Sequence, residues 1–91
     1  YGASTKGNVI LQFCKIDDKL IDIIIEINEK KFNCYTPGTN IKIISNKKVK
    51  EKPDYLLVLP WHFRDNIIQK EKEFLKMGGK LIFPLPEIEI Y

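Results

Sequence analysis

Histidine, arginine, tryptophan and methionine each occur once in these 91 residues, as His62, Arg64, Trp61 and Met77, and cysteine occurs only twice. That scarcity removes whole classes of chemistry. Cys14 and Cys34 have no metal-ligand spacing, and neither a nucleophile-base pairing nor a carboxylate dyad emerges, so no metal or catalytic residue is expected in this segment. With one arginine and no alternation of aromatic with basic residues, the chain lacks the stacking platform of a nucleic-acid binder. No stretch approaches the roughly 18 apolar residues of a membrane span, and the start has no signal-peptide pattern. Membrane and nucleic acid are therefore not expected partners, and the two cysteines read as reduced thiols of a cytoplasmic protein.

What is present is an ordinary globular composition, 44% hydrophobic and 30% charged, at a length that makes one domain over residues 1–91. The net charge of +3 comes from lysines scattered among acids. A denser stretch at Lys42, Lys47, Lys48, Lys50 and Lys52 also holds Glu51 and reads as a solvated face.

Val9, Ile10, Phe13 and Cys14 recur at helical spacing, which predicts a short helix over residues 7–16 with these side chains inward, ended by Asp17 and Asp18. Residues 21–26 are nearly continuous isoleucine, the pattern of a strand covered on both faces. Residues 28–40 carry no period and hold Pro37-Gly38, suited to the centre of a type II turn, so a loop replaces a crossover helix. Ile41, Ile43 and Ile44 read as an edge strand, and residues 47–52 offer at most a helical turn before Pro53. Residues 54–59 form a second apolar strand. A long helix over 61–77 follows, with the stripe Phe63, Ile67, Ile68, Phe74 and Leu75 and with Gly78 as its left-handed stop. Residues 80–83 make a third strand, and Pro84 and Pro86 lead into an extended tail. Strands alternating with helices call for a parallel sheet with right-handed crossovers. The expected fold is α/β, a Rossmann-like open parallel sheet with flanking helices, its first strand upstream of Tyr1. The chain thus reads as an excised piece of a larger enzyme.

In such a sheet ligands bind beyond the carboxyl ends of the strands. The turn Ser4-Thr5-Lys6-Gly7-Asn8, the Glu26 to Asn28 strand end, the Tyr35 to Thr39 loop if it folds back, and the Pro60 to Phe63 corner are the candidates. The glycines resemble the dinucleotide fingerprint only loosely, and the turn is no Walker loop, since Lys6 precedes Gly7 and Asn8 follows. It still offers two hydroxyls, backbone donors and a cation to a phosphate or carboxylate, beside the simpler reading of a capped helix start. Glu26 lies where an acid takes a cofactor ribose, yet without the fuller glycine pattern a cofactor is not expected here. His62 is read either as a donor or acid-base group or as an aromatic-flanked first-turn residue.

Taken in order, the stretch Tyr1 to Asn8 (YGASTKGN), the stretch Tyr35 to Thr39 (YTPGT), the stretch Leu59 to Phe63 (LPWHF) and Gly78-Gly79 before the last strand resemble the carboxy-terminal domain of sugar C-methyltransferases. The resemblance implies an S-adenosylmethionine-dependent parent enzyme acting on a nucleotide-linked deoxysugar, with an amino-terminal zinc-binding region and a central domain that holds the methyl donor. Cofactor and zinc would then lie outside this segment. It further implies that Ser4, Thr5, Lys6, Asn8, Tyr35, Thr39, Trp61 and His62 line one cleft toward the substrate or the central domain. Glu26-Ile27-Asn28 departs from the more basic pattern of the family. Two alternatives are carried alongside: a truncated methyltransferase domain that itself binds S-adenosylmethionine, and a noncatalytic interaction domain.

Overall fold

The computed structural model describes residues 1–48 and 53–91. Val49, Lys50, Glu51 and Lys52 lie outside the described residues, and with them part of the lysine stretch and of the turn expected over 47–52. The elements are helix α1 (Thr5–Phe13), strand β1 (Ile23–Glu26), strand β2 (Lys42–Ser45), strand β3 (Tyr55–Leu57), helices α2 (Arg64–Lys70) and α3 (Lys72–Lys76), strand β4 (Lys80–Phe83) and strand β5 (Glu89–Ile90). Single 3-10 turns occupy Glu29–Lys31, Asn46–Lys48 and Trp61–Phe63.

The fold is a small mixed α/β arrangement. β1 and β2 pair in parallel, Ile24 opposite Ile43; β3 and β4 pair in parallel, Leu56 opposite Leu81; β5 closes the second sheet antiparallel to β4. Tyr1 and Gly2 stand between the two sheets. The Tyr1 amino group donates to the Leu57 carbonyl at 2.8 Å and Leu59 N–H donates to the Tyr1 carbonyl at 3.0 Å, while Gly2 N–H donates to the Ile25 carbonyl at 2.9 Å. The order across the molecule is therefore β2, β1, the Tyr1-Gly2 segment, β3, β4, β5. Beyond β2, residues 33–36 run back along its outer edge, with bonds Asn33 N–H to Ile43 O, Ile43 N–H to Cys34 O and Thr36 N–H to Ile41 O. That returning segment is how the loop without a helix joins two parallel strands.

Strand alternation sorts the core into two clusters, one per face. Leu11 of α1 packs with Ile24, Ile43, Ile41, Leu59 and Ala3. Ile67 and Phe74 of α2 and α3 pack with Leu56, Val58, Leu81 and Phe83.

Three expectations need correction. The inward face of α1 is Gly7 and Leu11, whereas Val9 is 62% and Phe13 86% exposed and Cys14 is an exposed cap residue. The reason is close approach: a Cβ on Gly7 would stand 2.6 Å from Leu59 Cβ, so the helix turns its smallest residue to the sheet and leaves its bulkier stripe outside. The long helix over 61–77 is a 3-10 turn followed by two short helices that break at Glu71, whose φ of −101° and ψ of 25° leave the helical well. Glu71 is the carboxylate that interrupts the apolar stripe, and it faces the Tyr1 hydroxyl across the core edge. Finally, the tail pairs as β5, so the prolines lead into a strand.

Gly78 does end α3 with φ of +91°, and Gly38 holds the positive φ of +76° that the third position of a type II turn requires.

Candidate functional site

At the carboxyl ends of β1 and β3 a cavity of about 360 Å³ opens between the Tyr1 to Ser4 turn, the Glu26-Ile27 strand end and the Pro60 to Phe63 corner, with α2 as its far wall. Three separate candidate segments from the sequence meet there. Its polar lining comes from Ser4, Glu26, Lys31, Asn46, Asn66 and Lys70, its apolar lining from Tyr1, Ile25, Pro60, Phe63 and Ile67. Phe63, counted in the sequence as core stripe, is 59% exposed and belongs to this wall.

Two glycines shape the entrance. Gly2 has φ of +81°, and a Cβ there would stand 2.7 Å from Pro60 Cδ, so the turn passes the strand-to-helix corner only without a side chain. Gly7 brings α1 against Leu59 in the same way. The two are five positions apart, the separation of the outer glycines of G-x-G-x-x-G, with Ser4 in place of the middle one. Loose as the sequence match is, the two outer positions do the turn and packing work of that motif, and Ser4 supplies a side chain at the middle position.

Ser4 is the N-cap of α1: its Oγ accepts from Gly7 N–H at 2.9 Å, and its backbone has extended angles. Thr5 and Lys6 open the helix as exposed residues beside it. Asn8, one turn further, buries its Oδ1 without a hydrogen-bond partner among the described residues. Trp61 and His62 form the outer side of the corner, their rings edge to face with centroids 5.7 Å apart, and His62 also lies 4.3 Å from the Phe63 ring. Neither reaches into the cavity lining as Pro60 and Phe63 do.

Tyr35 and Thr39 stand apart from this cleft. Their loop packs at the other end of α1, where Gln12 Nε2 donates to the Pro37 carbonyl at 2.8 Å and Asp18 N–H to the Thr39 carbonyl at 3.2 Å, and Tyr35 bridges to Lys42 at the start of β2. Thr39 is 4% exposed and its hydroxyl is hydrogen-bonded to that of Thr36, which in turn accepts from Ile41 N–H at 2.9 Å. The loop does not fold back to the strand ends because both hydroxyls are spent closing the turn.

Glu26 ties the entrance of the cleft together. Its carboxylate accepts from Ala3 N–H at 3.0 Å, Ile27 N–H at 2.7 Å and Asn28 N–H at 2.9 Å. Lys31 stands 4.0 Å away and donates its Nζ to the Ala3 carbonyl at 2.5 Å. Burial pushes this carboxyl up, but the Asn28, Ile27 and Ala3 donors and then the Lys31 charge outweigh it and hold it below the ordinary carboxylate range. Both carboxylate oxygens are thus engaged by the protein, which ties the entrance turn to the end of β1. Lys31, Asn46, Asn66 and Lys70 went unnoticed in the sequence; the one signal for Asn66 and Lys70 was their i, i+4 spacing on α2.

Among the described residues there is no cluster of three or more histidines, cysteines or acids that could hold a metal ion, and no helix is long and apolar enough to cross a membrane. Compared with known proteins, residues 1–86 match the family described as the C-methyltransferase C-terminal domain. The chain is also 39% identical over 88 residues to the C-methyltransferase NovU of Streptomyces niveus, an alignment that takes in 96% of this chain and 21% of that protein.

Proposed function

The chain belongs to the C-methyltransferase C-terminal domain family, and from that premise we propose that it is the substrate-orienting domain of an S-adenosylmethionine-dependent enzyme that methylates a carbon of a nucleotide-linked deoxysugar. It spans about a fifth of the length of the curated relative it matches, so the chemistry of methyl transfer is assigned to the remainder of the parent protein. The observation that carries the reading is the cavity at the carboxyl ends of the parallel strands, where the Tyr1 to Ser4 turn, the end of β1 and the Pro60 corner converge. The order β2, β1, Tyr1-Gly2, β3, β4 supports a Rossmann-like sheet in which that cavity sits at the switch point.

Methylation at carbon needs a proton removed next to a keto group and an enolate held until it attacks the sulfonium methyl. This domain supplies position. Lys70 and Lys31 offer cations to phosphate oxygens, Asn66, Asn46 and Ser4 offer directional hydrogen bonds, and Phe63 with Ile27 gives an apolar face to a base or deoxysugar. Thr5 and Lys6 beside Ser4, Asn8 one turn further, and Trp61 and His62 on the outer side of the Pro60 corner lie outside the cavity lining and are assigned to contacts with the substrate or the central domain. The methyl donor is better placed elsewhere, because the Glu26 oxygens that would take a cofactor ribose are occupied by Ala3, Ile27 and Asn28.

Kinetics of the parent enzyme test this. Asn66→Ala, Lys70→Ala, Lys6→Ala and His62→Ala are expected to raise the KM for sugar nucleotide with smaller effects on kcat, on the order of tenfold for a charged contact. An unchanged KM in all four would favour a purely structural domain. Calorimetry of this chain with S-adenosylmethionine is expected to show no binding, and measurable heat would overturn the division of labour.

A further inference from the structure

Helix α1 turns its small residues to the sheet and its large ones to solvent. Lys6, Val9 and Phe13 follow one another at helical spacing and share one face, opposite Gly7 and Leu11, the buried residues of this helix. Val9 is 62% and Phe13 86% exposed, and Lys6 is exposed beside them. None of the three lines the cavity at the strand ends, so a ligand held there leaves them uncovered. Lys6 is also poorly placed for its charge. It stands in the first turn, where the helix dipole favours an acid over a cation, yet that turn holds no acidic residue. Lys6 forms no ion pair among the described residues.

We propose that the Lys6, Val9 and Phe13 face of α1 docks this domain onto the rest of its own parent polypeptide, against an apolar patch that carries a carboxylate for Lys6. This rests on the chain being one domain of a longer methyltransferase, and it goes beyond the cavity in naming a second surface with a separate task. Charge sets the sign of the partner. A cation at the positive end of a helix is relieved by an acid brought from outside, since its own turn supplies none. Area sets the need for a tether. Val9 and Phe13 together offer on the order of 200–300 Å² of apolar surface. Two independent molecules that associate stably bury about 800 Å² on each side. So small a patch holds a partner when a covalent link raises the effective concentration of one for the other. The match to the curated relative takes in 21% of that protein, so most of its chain lies outside this domain and is tethered to it. A second copy docking by the same face is the weaker occupant, because it brings another Lys6 and no carboxylate.

Hydroxyl-radical footprinting of the intact parent protein, read by mass spectrometry with no sugar nucleotide present, tests the assignment. A Phe13 ring left in solvent is modified in the native parent at close to its rate in the urea-unfolded parent. Docking should slow it on the order of tenfold, equally at all protein concentrations. Lys6→Glu changes an exposed residue without touching the core and should return much of the Phe13 rate, whereas Lys6→Arg should keep the protection. A native Phe13 rate near the unfolded one would overturn the proposal. So would protection that fades on dilution, the mark of a second copy, or protection that Lys6→Glu leaves intact. Because no substrate is present, this result stands apart from the KM shifts at Asn66 and Lys70 that test the cavity, and either can fail while the other holds.

Discussion

At the end of β1 a single carboxylate gathers three backbone N–H groups from two segments, and removing it leaves all three without an acceptor. Glu26→Ala is expected to cost about 2–3 kcal/mol, read as a shift in the urea midpoint. Because the folded carboxyl titrates below its unfolded counterpart, its contribution is complete above the unfolded value and fades as pH falls through the folded one. Glu26→Gln should therefore lower stability at neutral pH and flatten the acid limb of the stability profile. Gly7→Ala forces a methyl toward Leu59 Cβ and Ser4 Oγ and is expected to lose about 1–3 kcal/mol by thermal unfolding.

Among the elements, the strands were the most legible in the sequence. Lys80 to Phe83 stands as expected, and the isoleucine run gives β1 because β-branched residues favour the extended backbone, although only Ile24 of its four residues is buried and Ile23 is exposed, short of the expected cover on both faces. Helix faces were less legible. In α1 the bulkier Val9 and Phe13 drew the stripe to the wrong side, and only the tertiary approach of Gly7 to Leu59 decides it. The site divides along the same line. Ser4 and the Pro60 corner announced themselves as turn residues, whereas Asn46, Asn66 and Lys70 reach the cavity through the packing of distant elements, which no local pattern encodes. The tail was hidden because its partner is also long-range: Leu81 and Tyr91 exchange backbone bonds, Arg64 grips Glu89 at 2.8 and 2.9 Å, and its guanidinium lies 5.5 and 5.4 Å from the Phe83 and Tyr91 ring centroids. Deleting residues 87–91 should speed amide exchange at Leu81 and leave ligand affinity at the cavity unaltered, since none of the deleted residues lines it.

For the molecule as a whole, the core divides into two small clusters, one on each face of the strands. Leu11 is fully buried and is the chief contribution of α1 to its cluster. Leu11→Ala is expected to cost about 2–5 kcal/mol, a large share of the roughly 5–10 kcal/mol available to a domain of this size, so the denaturation midpoint should fall steeply. Chemical denaturation followed by circular dichroism measures this directly. The corner that holds the cavity also carries the chain's sole indole. Trp61, half-buried beside Pro60 and edge-on to an imidazole, gives the protein an optical signal that originates at the mouth of the cleft and nowhere else. Its fluorescence can therefore report occupancy of the mouth without a label.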